Sequence, residues 1–545
     1  MYRSFNKLTA VFLLLFFIFN PFVVSAEELL SQEGLSFNDF IRIYENKDYK
    51  KEITSKILST PIVDNNINSC EKFTYKHHPT LKDLVVIGQW DLMYNLEPEK
   101  VYDAFFHPER LVEIFKKDNE ANSLYMVDIK EHPIESYNKM KEKITKESQI
   151  LKSSDIIVLN NVDIGMPRTQ YRDMPLELAK ELGYNYAFAP EFIEVDPATL
   201  GLEDHKWSDS HMITESKTAS EYKVDQTKYR GLTGTAILSR FPLSNVRIIP
   251  LVDVYDWYDS EKNNEYKLED VSRQAMKTVF KEDTLRQVRL GHRMALVADI
   301  ELPEQTFTVV GVQIEKRTRP NERAKQMKYL LSQIKDITHP VILAGNLNTS
   351  CYNHQPKGVK NIVKNKFTDA DSIAETAFSV LVPVGMVVSW VVRPVFDIFR
   401  KVNDPTVISI PLISPNREKK MFNAIRRFEF SDGYKFDFRG NPETSVSNSS
   451  KMFSSSNERG KKGYISTYKT KRNLGVSNYK LSWIMAKGYN TKNKPDSKHD
   501  ENVSECMAPH FGRTLYALNF SYAQPIAIQA PIVAVFPLTD YKSAK

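Results

Sequence analysis

Short apolar runs of strand length, each ending at a polar corner, recur along this chain and limit what it can fold into. Leu84-Val85-Val86-Ile87-Gly88 is the first, and Asp155 to Leu159, Ala236 to Leu238, Ala295 to Ile300, Thr306 to Val312 and Val341 to Ala344 repeat the signal. Runs of this length, bounded by polar text, read as strands. Helix-like segments lie between some of them, around Val101 to Phe115, Leu176 to Leu182 and Glu322 to Ile334. The pattern predicts stacked sheets covered by helices, an α+β sandwich rather than a bundle. Strand text returns at Tyr479 to Met485 and Pro531 to Leu538, after an interruption from about 351 to 474.

That interruption reads as an insertion. It holds an apolar segment, Ala377 to Val392, and then a Ser/Asn/Lys-rich run from Ser445 to Lys462. At ~1.5 Å rise per residue the apolar segment is too short to span a ~30 Å bilayer core, and Pro383 removes a helical hydrogen bond, so contact with a membrane surface or with the body is expected. Farther along, basic residues from Arg459 to Arg472 alternate with Tyr464 and Tyr468. A mobile polar loop accounts for them more simply than a stacking groove for nucleic acid.

The start of the chain has its own logic. Arg3 and Lys7 precede an almost wholly apolar stretch, Leu8 to Phe19, and Val24-Ser25-Ala26 offers small residues for cleavage. This predicts a secretory signal peptide over residues 1–26 and an exported protein, periplasmic or extracellular. Residues 27–80 read as an N-terminal extension with helical spacing through Phe37, Phe40, Ile41 and Ile43. With 545 residues, 41% of them hydrophobic and 26% charged, a large core is available and a disordered chain is excluded. The formal charge of +6 falls to +4 once Arg3 and Lys7 leave with the leader, too little to argue for a nucleic-acid partner. Cys70, Cys351 and Cys506 are widely spaced and odd in number, so at most one intramolecular bridge can form, and no zinc spacing is present.

Several strand ends carry phrases that resemble the endonuclease/exonuclease/phosphatase superfamily, metal-dependent phosphoesterases on a four-layered α/β sandwich. Residues 155–169 read DIIVLNNVDIGMPRT and lead into Glu177-Leu178-Ala179 and Gly183-Tyr184-Asn185-Tyr186. GLTGTAILSRFPL (231–243), VVGVQIE (309–315), VILAGNLNT (341–349), KLSWI (480–484) and QAPIVAVFPL (529–538) continue the series in order. The resemblance covers roughly 81–350 and 475–545. It implies two stacked mixed β-sheets flanked by helices.

The same resemblance places the site, and most of its groups are substituted. Where the family has an asparagine on the first strand this chain has Asp91, and the metal-ligand glutamate falls on Asn161. The first catalytic histidine falls on Gln313 and the aspartate of the Gly-Asp-Leu-Asn phrase on Asn346. The Asp-Trp phrase becomes Ser482-Trp483, and the terminal Ser-Asp-His becomes Ala527, Ile528 and Gln529, while Asn348 fits the pattern. Mg²⁺ or Mn²⁺ needs hard anionic oxygens, and in-line attack by water needs a base. With neutral amides at the ligand positions and neither histidine in place, the expectation is a degenerate site with no intact catalytic residue, no metal and no cofactor. The function expected is then that of a binding or scaffold protein, whose partner is an unknown protein or a phosphate-containing ligand. Arg168, Arg172, Lys316 and Arg317, near strand ends, are the candidates to contact an anion. The alternative is a phosphodiesterase or phosphatase with a rebuilt Mg²⁺ or Mn²⁺ site. Asp163 and Asp173 flank the Asn161 corner as possible relocated ligands.

Overall fold

The computed structural model describes residues 35–65, 84–92, 97–121, 133–197, 200–202, 224–262, 288–302, 306–349, 418–437, 467–469, 478–487 and 513–537. The leader, the segment 377–392, the polar run 445–462 and the three cysteines lie outside the described residues.

Among the described residues sixteen strands form two large sheets and a short ribbon. The first sheet has the order β1-β4-β5-β3-β2-β16-β15, with β7 added on β4. Its strands are β1 (Ile62–Asp64), β2 (Leu84–Asp91), β3 (Ile156–Ile164), β4 (Asn185–Glu194), β5 (Leu232–Ser239), β7 (Arg289–Gly291), β15 (Arg513–Thr514) and β16 (Ile532–Pro537). The second has the order β11-β14-β10-β9-β8-β6. It is built from β6 (Leu243–Pro250), β8 (Met294–Glu301), β9 (Thr306–Gln313), β10 (Val341–Asn346), β11 (Phe436–Asp437) and β14 (Ser482–Lys487). The ribbon pairs β12 (Tyr468–Lys469) with β13 (Asn478–Tyr479). Each large sheet is mixed, because β2 pairs β3 in parallel and β9 pairs β10 in parallel while the other pairs are antiparallel.

A parallel pair needs a crossover, and each one here is helical. The first connection carries α3 (Pro98–Phe106), α4 (Pro108–Ala121) and α5 (Pro133–Lys152). The sequence pattern predicts one helix over Val101–Phe115; the structure has two, divided at His107. Pro108 explains the break, since proline cannot donate to the preceding turn and disfavours helical geometry in the residue before it; His107 sits at φ −133°. The second connection carries α8 (Pro320–Gln333), which starts with Pro320 at its first turn. Two helices precede the first sheet, α1 (Phe37–Glu45) and α2 (Lys47–Ser59). Ser36 opens α1 with a capping box, its hydroxyl accepting from the Asp39 amide at 3.4 Å while Asp39 Oδ2 accepts from the Ser36 amide at 2.9 Å. Phe40 and Ile43, on the periodic face, are buried in the main core, so this part of the N-terminal extension packs on the sandwich. The remaining helices are α6 (Met174–Leu182), α7 (Trp257–Lys262), α9 (Lys419–Arg427) and α10 (Tyr516–Phe520).

The two large sheets face one another, with β3 and β5 against β9, and β2 against β10 and β14. Ile87, Val158, Ile237, Val309, Ile342 and Ile484 fill the space between them. A separate cluster on the far side of the second sheet joins Val310, Val312 and Leu343 to Met327 of α8 and Phe422 of α9. Helix, sheet, sheet and helix thus form four layers. Full burial of each such aliphatic side chain stabilises by about 1.5–3 kcal/mol. Gly311 sets the spacing on β9: a Cβ there would come within 3.1 Å of Val158 Cγ1 and 3.2 Å of Thr235 Cγ2, so only glycine admits this approach without adjustment.

Candidate functional site: a closed polar layer between the sheets

At one end of the sandwich the inward positions of the strands turn from apolar to polar. Alternation along β2 puts Gln89 and Asp91 on the same face as Ile87. A bulge in β3, where the pairing with β5 shifts between Leu159 and Val162, carries Asn161 at φ 52°. It brings two successive residues, Asn160 and Asn161, to the space between the sheets, which regular alternation forbids.

Asp91 is at the centre of this layer and is fully buried. Asn161 Nδ2 donates to its Oδ1 at 2.7 Å, and Gln529 Nε2 donates to its Oδ2 at 2.9 Å. Asn346 Nδ2 also donates to Oδ2. A carboxylate only accepts hydrogen bonds, so each amide presents its NH₂ group. Their oxygens are engaged elsewhere. Asn161 Oδ1 accepts from Arg293 Nη1 at 3.4 Å, Asn346 Oδ1 from the Asn348 backbone amide at 2.8 Å, and Gln529 Oε1 from Ser482 Oγ at 2.9 Å and Thr467 Oγ1 at 3.2 Å. Trp90 fixes the last partner, its indole donating to the Gln529 carbonyl at 2.9 Å. Asn348, itself at φ 47°, donates its side-chain amide to the Ile314 carbonyl at 2.7 Å.

A second set of bonds ties the sheets together beside Asp91. Asn160 Oδ1 accepts from Gln89 Nε2 at 3.0 Å and from the Asn346 amide at 3.2 Å, and its Nδ2 donates to Thr235 Oγ1 at 3.0 Å. Thr235 donates to Glu191 Oε1 at 2.6 Å. Arg293 then bridges Glu191 at 2.7 Å and Glu315 at 3.2 Å, all three buried. Burial pushes the Glu191 carboxyl up despite Arg293. Burial also opposes charge on Glu315, but Arg293, the Arg317 amide and the Trp257 indole outweigh it and hold that carboxyl below its usual range. Trp257 of α7 donates to Glu315 at 3.0 Å and lies under Arg289, whose guanidinium carbon is 3.6 Å from the ring centroid.

The structure therefore brings Asp91, Asn161, Asn346, Asn348, Ser482 and Gln529 into one bonded network. Gln313 is 3% exposed and its Oε1 accepts no hydrogen bond among the described residues. Ile528 is half-buried and has no polar group to offer. Of the candidate anion contacts, Arg168 is ion-paired with Asp163 at 2.6 Å and Glu194 at 2.9 Å, and Arg172 with Glu177 at 2.6 Å and Glu99 at 3.0 Å. Arg317 pairs with Glu261, and Lys316 is half-buried. Asp173 caps α6, accepting from the Leu176 amide at 3.1 Å. Among the described residues no group of three or more His, Cys, Asp or Glu side chains stands together as a metal cage. Gln89, Asn160, Glu191, Arg293 and Glu315 are members of the layer that motif reading passes over. Their signal is a polar residue inside or against an otherwise apolar strand.

Among solved structures, this chain is similar to an endonuclease/exonuclease/phosphatase from Beutenbergia cavernae DSM 12333, at 12% identity over 83% of this chain and 71% of the other, with a TM-score of 0.31. It is also similar to an AP endonuclease from Archaeoglobus fulgidus, at 10% identity over 83% of this chain and 100% of the other, TM-score 0.33. A humanized D. rerio TDP2 gives 12% identity over 83% and 98%, TM-score 0.30. No family model matches the chain, and no curated protein matches it.

Proposed function

We propose that this chain, whose two stacked mixed sheets and flanking helices form the endonuclease/exonuclease/phosphatase fold, is an exported binding or scaffold protein rather than a metal-dependent hydrolase. The observation that carries this reading is the enclosure of Asp91 by three amide NH₂ groups whose oxygens are already bonded.

Mg²⁺ or Mn²⁺ does not suit this donor set. A divalent ion would have Asp91 as its one carboxylate, and it would require Asn161, Asn346 and Gln529 to turn their oxygens inward. Each turn breaks a bond to Asp91 and another on the far side of the amide, at ~1 kcal/mol or more per bond. Arg293, next to Asn161, adds a repelling charge. The two positions that would carry a histidine offer no general base either, because Gln313 and Gln529 cannot take a proton near neutral pH. Among the described residues this layer offers hydrolysis neither part, whereas a buried, cross-bonded layer suits a scaffold that presents its outer surfaces to a protein or a phosphate-bearing ligand.

Calorimetric titration of the exported chain with Mg²⁺ and Mn²⁺, alongside turnover assays on phosphodiesters and phosphomonoesters, tests the reading. Flat titrations and no chelator-sensitive turnover are expected. Stoichiometric ion binding with turnover lost on Asn161→Ala would replace it with the phosphoesterase alternative. The amino terminus of the exported chain is expected at Glu27; a chain that still begins at Met1 would contradict processing.

A further inference from the structure

On the outer side of the second sheet, α8 and α9 pack against each other and leave an open groove of about 890 Å³ between them. Its rims are basic on both sides: Lys325 and Lys328 of α8 with Lys335 just past its end, and Lys420 and Arg427 of α9 opposite, all exposed, with Glu429 as the lone carboxylate of the lining. Glu429 is itself ion-paired with Lys435 at 3.3 Å, and the pair of exposed Lys325 with half-buried Glu322 at 2.9 Å leaves the other rim cations unopposed within the lining. On α9 the lining residues Lys420, Asn423, Ala424 and Arg427 fall at i, i+3, i+4 and i+7, a single helical stripe. The floor is apolar, made by Ala324, Leu331, Ala424 and Phe428.

We propose that this groove is a docking site for an acidic amphipathic helix from another protein. The apolar floor takes the apolar stripe of the incoming helix, and carboxylates on its two flanks meet the lysines and Arg427 on the rims. The space fits roughly two turns of a helix 10–12 Å across. Charge complementarity argues for an acidic partner, and the apolar floor argues for a helix rather than an extended polyanion. A single nucleic-acid strand needs exposed rings to stack on. The one ring in the lining, Phe428, is instead packed edge-on against Phe430 at 4.8 Å and faces Phe436 at 6.1 Å. The site lies across the second sheet from Asp91 and does not depend on the reading of that layer.

The test uses the full exported chain and a fluorescent peptide of about 15 residues with a leucine stripe flanked by glutamates, followed by anisotropy. Saturable binding that weakens with salt is expected, and Lys328→Glu with Arg427→Glu should reduce it by about tenfold or more while leaving the unfolding midpoint unchanged. A peptide with its leucines replaced by serine should bind at least about tenfold more weakly. Equal binding of that serine peptide, or tighter binding of an oligo-dT strand than of the leucine peptide, would overturn the proposal, as would absence of binding by a chain shown to be folded.

Discussion

Asn161 donates its side-chain amide to Asp91 Oδ1 at 2.7 Å, so the carboxylate stands on β2 and the amide on β3. This transposes the pair that the superfamily resemblance implies, asparagine first and glutamate second. The interaction survives the exchange, but its charge sits on the other strand, where two further amides close over it.

Asp91→Asn should therefore destabilise the chain, although it restores the residue type the resemblance implies. It points an NH₂ at NH₂ groups and leaves buried donors without their acceptor, at a cost of about 2–5 kcal/mol. Denaturant unfolding measures it. A loss under about 1 kcal/mol would mean that the amides turn freely and the layer is not fixed.

Asn161→Glu alone should behave worse than it does with Asp91→Asn. Two carboxylates at hydrogen-bond distance in a buried layer repel, and one must take up a proton. A double-mutant cycle should show favourable coupling of about 1–3 kcal/mol. Adding Asn346→Asp to that pair should bring Mg²⁺ or Mn²⁺ binding in calorimetry. Turnover should also need Gln313→His, Ser482→Asp, Ile528→Asp and Gln529→His, since such groups act together.

Arg293→Met removes the cation that bridges Glu191 and Glu315. Leaving buried carboxylates unpaired costs about 3–5 kcal/mol. Their folded-state pKa values then rise, so the variant's deficit should shrink as the pH is lowered toward the carboxylate range. Chemical unfolding at about pH 7.5 and about pH 5 checks the sign. A deficit independent of pH would show that lost packing, not charge, is responsible.

Asp299 carries a separate acid response. Burial would raise its carboxyl, but hydrogen bonds involving His339, Thr308 and Asn245 outweigh it and hold the pKa at about 2, against an ordinary 3.8. Thr308 and Asn245 donate at 2.7 and 2.9 Å. Because the folded-state value is depressed, this group stabilises the fold above pH 3.8 and the contribution is lost as pH falls through about 2. Asp299→Asn should lower stability at neutral pH, and the gap to wild type should close across that acid window. A gap of constant size would refute the assignment.

The strand runs were legible because each is apolar on both faces, with one face against the other sheet and the other under helices. Leu84–Asp91 and Val341–Asn346 appear in the structure close to where the apolar text places them. The split at His107 turned on a single proline within a continuous helical period. In the site, motif order located Asp91, Asn161 and Asn346 but was silent on which atoms face which, because an amide offers donors and acceptors alike. Asn160 was hidden for another reason. It continues the inward row of Ile156 and Val158, and the bulge then turns its neighbour Asn161 inward as well, an arrangement that leaves little trace in hydrophobic period.

The Gln529 to Asp91 bond joins positions 438 residues apart, and β16, which begins just after Gln529, pairs with β2. During synthesis, then, β2 keeps one edge open until the C-terminal strand arrives. Closing so long a loop is slow, and an unpaired strand invites other chains to pair with it. The C-terminal strand is therefore both the last of the described strands to be made and the one that shields the β2 edge from other chains.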